Sequence, residues 1–204
     1  MKVTGIKGIA ARRFRKTTDL THTLPIAENI LDRQFDIKEI ASCNRVWVGD
    51  ITYLPTREGW LYLAVVIDLV SRRVIGWSMC MCMERSLVIN ALRSVIRSRR
   101  STSGTIFHSD RRSQYASEDF RNLPKVSGMR ASMSRKAECW DNACVESFFG
   151  SMKRELGVPI WESRAIAQAM IFDYIAIWYN RKRRHSTLGY VSPEEYESSL
   201  PTAA

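Results

Sequence analysis

Three carboxylates stand where they could do chemistry. Asp50 lies in the strand-like run Val46-Trp47-Val48-Gly49-Asp50-Ile51-Thr52-Tyr53, Asp110 closes the short apolar run Thr105-Ile106-Phe107-His108-Ser109-Asp110, and Glu146 lies in Cys139–Glu155, which reads as the start of an amphipathic helix. A hard ion such as Mg²⁺ prefers carboxylate and water oxygens. Transfer of a phosphoryl group needs an attacking and a leaving oxygen in line, and two divalent ions about 4 Å apart can stabilise both. Taken singly, each carboxylate has an ordinary structural reading: Asp50 and Asp110 as strand-end turn formers, Glu146 as a solvated helix residue. The helix itself is legible. Asp141 or Asn142 can cap its N-terminus, Val145, Phe148, Phe149 and Met152 recur at helical spacing, and Asn142, Glu146 and Lys153 share the other side. A helix with one carboxylate and one cation beside a buried face can hold a metal and a phosphate at once.

The elements that must position these groups follow from patterning. Arg45–Leu54, Trp60–Asp68 and Val74–Met79 read as three strands joined by short links, Pro55–Gly59 and Ser71-Arg72-Arg73, hence an antiparallel meander. Met83–Arg100 reads as a helix with Leu87, Ala91, Leu92, Val95 and Ile96 inside and arginines crowding its end, where cations suit the dipole. Thr105–Ser109 is a short strand, Ser117 or Glu118 to Leu123 a short helix stopped by Pro124, and Met129–Ser134 the last strand. The central helix runs from Asp141 to about Leu156 before Gly157. Ser163 to about Arg181 is a long helix with Ile166, Met170, Ile171, Tyr174, Ile177 and Trp178 inside, and Ser192 caps a final helix opened by Pro193. Strands, helix, strand, helix, strand and further helices make a mixed α/β sheet flanked by helices.

The chain has 204 residues, 45% of them hydrophobic, and a formal net charge of +10. That length suits one domain with appendages, and that charge favours a polyanion, since binding releases counterions from a phosphate backbone. Five cysteines without a C-x-x-C pair and only three histidines argue against structural zinc and for free thiols in a reducing cytoplasm. No leader peptide is visible at the start, and the longest apolar run, Trp60–Val70, is interrupted by Asp68 and too short to span a bilayer. Residues 1–44 are polar and basic and read as an arm or linker, 45–200 as the core.

Four stretches occur in order: W-V-G-D-I-T-Y, H-S-D-x-x-S-Q-Y, S-R-K-x-x-C-W-D-N-A-x-x-E-S-F-F and Y-N-R-K-R-R-H-S-T-L-G-Y-x-S-P, with 35 residues (111–145) between Asp110 and Glu146. Together they resemble the DDE transposases and integrases, specifically the second-frame products of bacterial insertion sequences. The resemblance implies a ribonuclease-H-like mixed five-stranded sheet flanked by helices. It also implies Asp50, Asp110 and Glu146 as catalytic, metal-binding residues with Mg²⁺ or Mn²⁺, two ions together. The implied activity is hydrolysis at an element end followed by attack of the freed 3′-hydroxyl on target DNA, without a covalent protein–DNA intermediate. Partners would be element-end and target DNA, further copies of the chain and an upstream-frame DNA-binding protein, in the bacterial cytoplasm at the nucleoid. Such transposases carry a helical DNA-binding region upstream; 1–44 is too short for a complete one, so the chain reads as the catalytic half with a remnant of that region.

Candidate DNA contacts are Arg135 and Lys136 in the basic loop before the central helix, Asn142, Lys153 and Arg154 on it, and Arg183 and Arg184 in the late basic run. Each has a bland competitor: a helix cap for Asn142, a solvated face for the cations. His108 reads as a packed histidine and Asp68 as the cap of the Ser71-Arg72-Arg73 turn. Two departures bear on activity. Arg112 stands where the family has Gly, and Ala137-Glu138 where Gly-Asn is common. If position 112 needed a positive φ, arginine would cost about 1 kcal/mol, and it brings bulk and charge beside the carboxylates. A weakened copy follows as an expectation. The alternatives are a remnant that only binds DNA and a simple ribonuclease-H-like nuclease.

Overall fold

The computed structural model describes residues 23–31, 42–99, 103–135, 142–157 and 159–200. Five strands form one sheet: β1 (Val46–Thr56), β2 (Gly59–Asp68), β3 (Val74–Cys80), β4 (Ile106–Ser109) and β5 (Arg130–Met133), in spatial order β3-β2-β1-β4-β5. β1, β2 and β3 make the expected antiparallel meander; β4 and β5 add on parallel beside β1. The first hairpin is tighter than its sequence suggested. Pro55 and Thr56 stay in the strand, and the turn closes through Thr56 Oγ1, which donates to Gly59 O at 2.6 Å and accepts from Glu58 N–H at 3.1 Å.

Helices cover both faces because strand side chains alternate. One face packs Val46, Val48, Leu54, Leu63 and Val65 against α4 (Ala143–Leu156) and α5 (Arg164–Asp173). The other packs Trp47, Ile51, Ala64 and Val66 against α1 (Arg85–Ser98), α2 (Ser113–Ala116) and α3 (Glu118–Val126). Close approach explains two glycines. A Cβ at Gly49 would sit 2.6 Å from the Phe107 ring, and one at Gly76 would press on Val95 and lie 2.7 Å from Ala91 O of α1.

Pro124 does not stop its helix: α3 continues to Val126, and Ser127 and Met129 close the end by donating to Pro124 O at 3.1 and 2.9 Å. One lost N–H is tolerated this close to a terminus. α5 also departs from expectation. It passes into a π-helical turn over Tyr174–Tyr179, where Asn180 N–H bonds to Ile175 O at 3.1 Å. The residues facing the sheet are Ala167, Ile171, Tyr174, Ile175 and Tyr179, while Ile166, Met170, Ile177 and Trp178, expected inside, are exposed. Two apolar stripes run along this helix, and a wide turn shifts the phase that a 3.6-residue period assumes. The last helix, α6 (Pro193–Ser199), has the reciprocal Ser192–Glu195 cap. It is held to the start of β3 and the end of α1 by Arg73 bonding Glu194 and Glu197, and by Arg99 bonding Glu197. Of the arm, Leu31 is buried in the core, and Ile30 and Leu31 N–H donate to Ser132 Oγ at 3.0 and 3.3 Å.

Candidate active site

β1 and β4 run parallel with Gly49 opposite Ser109. The next residue on each path is an aspartate, so Asp50 and Asp110 follow paired positions on neighbouring strands, which lie about 4.8 Å apart in a sheet. Asp50 shares its face with Val46, Val48 and Leu54, the face on which Val145, Phe148 and Met152 of α4 pack. That packing brings the first turn of α4, which carries Glu146, over the two aspartates. Asn142 ties the helix start to the strand: its Nδ2 donates to Gly49 O at 3.5 Å.

The electrostatics follow from crowding three acids. Burial, then the charge of Asp110, pushes the Asp50 carboxyl well above the usual carboxylate range, while Arg112 and the Ile51 N–H, 2.6 Å from its Oδ1, hold it down. Burial also raises Glu146, with Arg112 opposing and Asp110 adding. Partial desolvation by its neighbours lowers Lys153 against the attraction of Asp50 even though its side chain keeps an exposed surface, and its Nζ lies 5.4 Å from the centre of the Tyr53 ring. Desolvation disfavours every ionised form here, so opposite charges matter more than they would in water.

Arg112 supplies that charge from inside. Its Nε lies 2.9 Å from Asp110 Oδ2 and its Nη1 3.3 Å from Asp50 Oδ1. Nη1 also donates to Ile51 O at 2.7 Å, and the Arg112 backbone N–H to Asp110 Oδ1 at 3.1 Å. The expected strain is absent, because φ is −62° and ψ 148°, ordinary extended backbone. What Arg112 changes is the charge, not the backbone. The donor chemistry suits a hard divalent cation: three carboxylates from β1, the end of β4 and α4. As the side chains stand, no group of three or more His, Cys, Asp or Glu among the described residues is arranged to hold one, and the Arg112 guanidinium bridges the two aspartates.

Other expected site residues fall in different places. Arg135, Lys153, Arg154 and Arg184 are exposed. Lys136 lies outside the described residues, as do Asp141, Cys139 and the Ala137-Glu138 pair. Asn142, expected as a DNA contact or a side-chain cap, makes no capping bond; it is 4% exposed, and its Nδ2 donates to Gly49 O. Arg183, expected on DNA, is half-buried and paired, with Nε 2.8 Å from Glu155 Oε1 and Nη2 3.4 Å from Ser151 Oγ. A carboxylate 28 positions upstream captured it, which a basic run alone does not reveal. His108 is fully buried against Ser132 Oγ at 2.9 Å, a packed histidine as expected. Asp68 holds its turn: Oδ1 accepts from Val70 and Ser71 N–H at 3.0 Å each, and Oδ2 from Asn44 N–H at 2.7 Å. Asn180, inside the basic run, turned out to be structural. It accepts from Val74 N–H at 3.0 Å and donates to Val74 O at 2.9 Å, standing in for a missing strand neighbour.

Two models described as integrase core domain match the chain, over residues 41–139 and 127–193. The transposase InsF of insertion sequence IS3A from Escherichia coli K12 is 47% identical over 195 residues, covering 95% of this chain and 67% of the relative. An uncharacterised 31 kDa protein of insertion element IS600 from Shigella sonnei is 44% identical over 186 residues, 91% of this chain and 67% of the relative. Among solved structures, the simian T-cell lymphotropic virus intasome bound to the PP2A regulatory subunit B56 gamma superposes with TM-score 0.62 at 17% identity, covering 92% of this chain and 65% of that one. The HTLV-2 integrase catalytic core with magnesium gives TM-score 0.57 at 16% identity over 76% of this chain and 97% of that one. At those identities the structures speak to the fold alone: a ribonuclease-H-like integrase core.

Proposed function

The chain belongs to the insertion-sequence transposases of the retroviral-integrase superfamily, and on that premise we propose that Asp50, Asp110 and Glu146 form the catalytic triad of a DNA transposase core. The observation that supports this most is the parallel β1–β4 register, Gly49 opposite Ser109, which sets two aspartates from distant stretches side by side beneath Glu146. The three carboxylates are the residues that would hold Mg²⁺ or Mn²⁺, two ions in the fullest case. Bound there, divalent metal would supply Lewis-acid stabilisation of the attacking and leaving oxygens.

The chain's own residues do the rest. The chemistry needs no covalent protein–DNA intermediate: water's oxygen bonds to phosphorus, which stays on the 5′ side, as the bond to the 3′ oxygen breaks and a 3′-hydroxyl is left. That hydroxyl then attacks a target phosphodiester, forming one P–O bond as another breaks, with no change in oxidation state. Lys153 on the same helix face as Glu146, and the exposed Arg135, Arg154 and Arg184, meet DNA phosphates. The net charge of +10 is the long-range part of that attraction. Residues 45–200 are the catalytic core and 1–44 a basic arm on DNA. The working form is a multimer on paired element ends in the bacterial cytoplasm, and an upstream-frame DNA-binding protein is its further partner. Among the described residues no helix is long and apolar enough to cross a membrane.

The test is strand transfer. Purified chain is mixed with labelled end DNA of its own element and Mn²⁺, beside an Asp110→Asn control. Joined product that disappears in the control is expected. Binding of the same DNA with no cleavage, under Mn²⁺ and Mg²⁺ alike, would overturn the catalytic reading in favour of a DNA-binding remnant.

A further inference from the structure

We infer that Arg112 is a resident cation of the Asp50–Asp110 pair, one that a divalent metal has to displace in order to bind. The inference rests on the proposed metal role of these carboxylates and concerns what occupies their shared space without metal.

Four contacts carry it. Nε and Nη1 of one guanidinium reach carboxylates on two different strands, at 2.9 Å to Asp110 Oδ2 and 3.3 Å to Asp50 Oδ1. This is bridging rather than a forked bond to one acid, so the positive charge lies between the pair. The 2.7 Å bond from Nη1 to Ile51 O anchors the head group, and the 3.1 Å bond from the backbone N–H to Asp110 Oδ1 holds the loop against the same acid. The backbone is fixed from the other side as well, since Tyr115 and Ala116 N–H donate to Arg112 O at 3.0 and 3.1 Å. The side chain is 16% exposed, and the carboxylates it touches are 10% and 18% exposed. An ion pair this sheltered is screened far less than one in water.

Two like charges on adjacent strands need a counter-charge in a desolvated site. A divalent ion and a guanidinium are alternative answers to that need, and an ion held by Asp50 and Asp110 would draw on the carboxylates that Arg112 now engages. With Arg112 in place one of the pair's two negative charges is balanced in the apo fold, and metal entry requires its head group to leave Asp50, Asp110 and Ile51 O. Removing the guanidinium therefore destabilises the apo protein and strengthens metal binding, two effects of opposite sign from one change.

The experiment measures Mn²⁺ binding to the full chain by calorimetry, with thermal unfolding followed with and without Mn²⁺. Parent, Arg112→Ala, and Arg112→Ala combined with Asp110→Asn are compared. Arg112→Ala is expected to bind Mn²⁺ at least tenfold more tightly than the parent, and saturating Mn²⁺ to raise its melting temperature by more than the parent's. Asp110→Asn should remove the gain. If Arg112→Ala is poorly folded without metal, Arg112→Gln retains a shorter, uncharged side chain with amide donors, and the same ordering is expected. Equal Mn²⁺ affinity of parent and variants refutes the competition while leaving the metal role of the carboxylates intact. No Mn²⁺ binding by any of them removes the metal role itself, and the inference with it.

Discussion

Asp50 and Asp68 are both buried carboxylates on the β1–β2 hairpin, and the same substitution should have opposite consequences at the two. Asp68 is fully buried and accepts three backbone N–H groups, from Val70, Ser71 and Asn44. In Asp68→Asn the amide oxygen can take over the Oδ1 contacts, but the NH₂ then faces the Asn44 N–H across 2.7 Å, donor against donor. One buried donor left unsatisfied costs about 1–3 kcal/mol, so a loss of about 2 kcal/mol is expected. For a domain of this size that lowers the melting temperature by about 4–8 °C. Asp50 accepts one backbone N–H, from Ile51, and an amide oxygen can keep it. Its ionised form is opposed by burial and by Asp110, so Asp50→Asn should leave stability within about 0.5 kcal/mol of the parent or raise it. Urea unfolding measures both, and strand transfer adds the second readout: Asp50→Asn abolishes joining with the fold intact, whereas Asp68→Asn lowers it only as far as folded protein is lost. A neutral Asp68→Asn beside a strongly destabilised Asp50→Asn would reverse the roles and refute the reasoning.

Asn180→Ala leaves the buried Val74 N–H and C=O without their side-chain partner, so a loss of about 2–4 kcal/mol is expected, with DNA affinity per folded molecule unchanged. A salt-dependent drop in DNA binding at unaltered stability would make it a phosphate contact instead. Glu197 carries a pH dependence of known sign. Burial pushes its carboxyl up, but the hydrogen bond and charge of Arg99, then those of Arg73, outweigh it and hold Glu197 below its ordinary value. Its stabilising contribution is therefore full above the ordinary carboxylate range and is lost as pH falls through the lowered value. Glu197→Gln should lower stability at neutral pH and flatten the acid side of the stability profile; an unchanged acid limb counts against the α6 clamp.

How much of the site was legible can be argued residue by residue. The strand around Asp50, the strand ending at Asp110 and the helix carrying Glu146 each announce themselves by local periodicity, and the stripe of Val145, Phe148 and Met152 already states which side of α4 is buried. Asp68 was readable as a turn cap because its donors lie within three residues of it, apart from Asn44. Arg183 and Asn180 were not readable. Their types suit DNA, but one was captured by Glu155, 28 positions away, and the other by Val74, 106 positions away. The inner stripe of α5 was misjudged because a π turn changes the period on which such readings depend.

By itself, then, the sequence determined the elements, the basic character and the candidate acids, because these depend on propensity, spacing and charge within a few turns of chain. Only the tertiary structure decided that Asp50 and Asp110 stand level on parallel strands, and that the Arg112 head group lies between them in an unstrained backbone. Both depend on register between segments some sixty residues apart, and register is chosen by the packing of two sheet faces against helices that no local pattern can see.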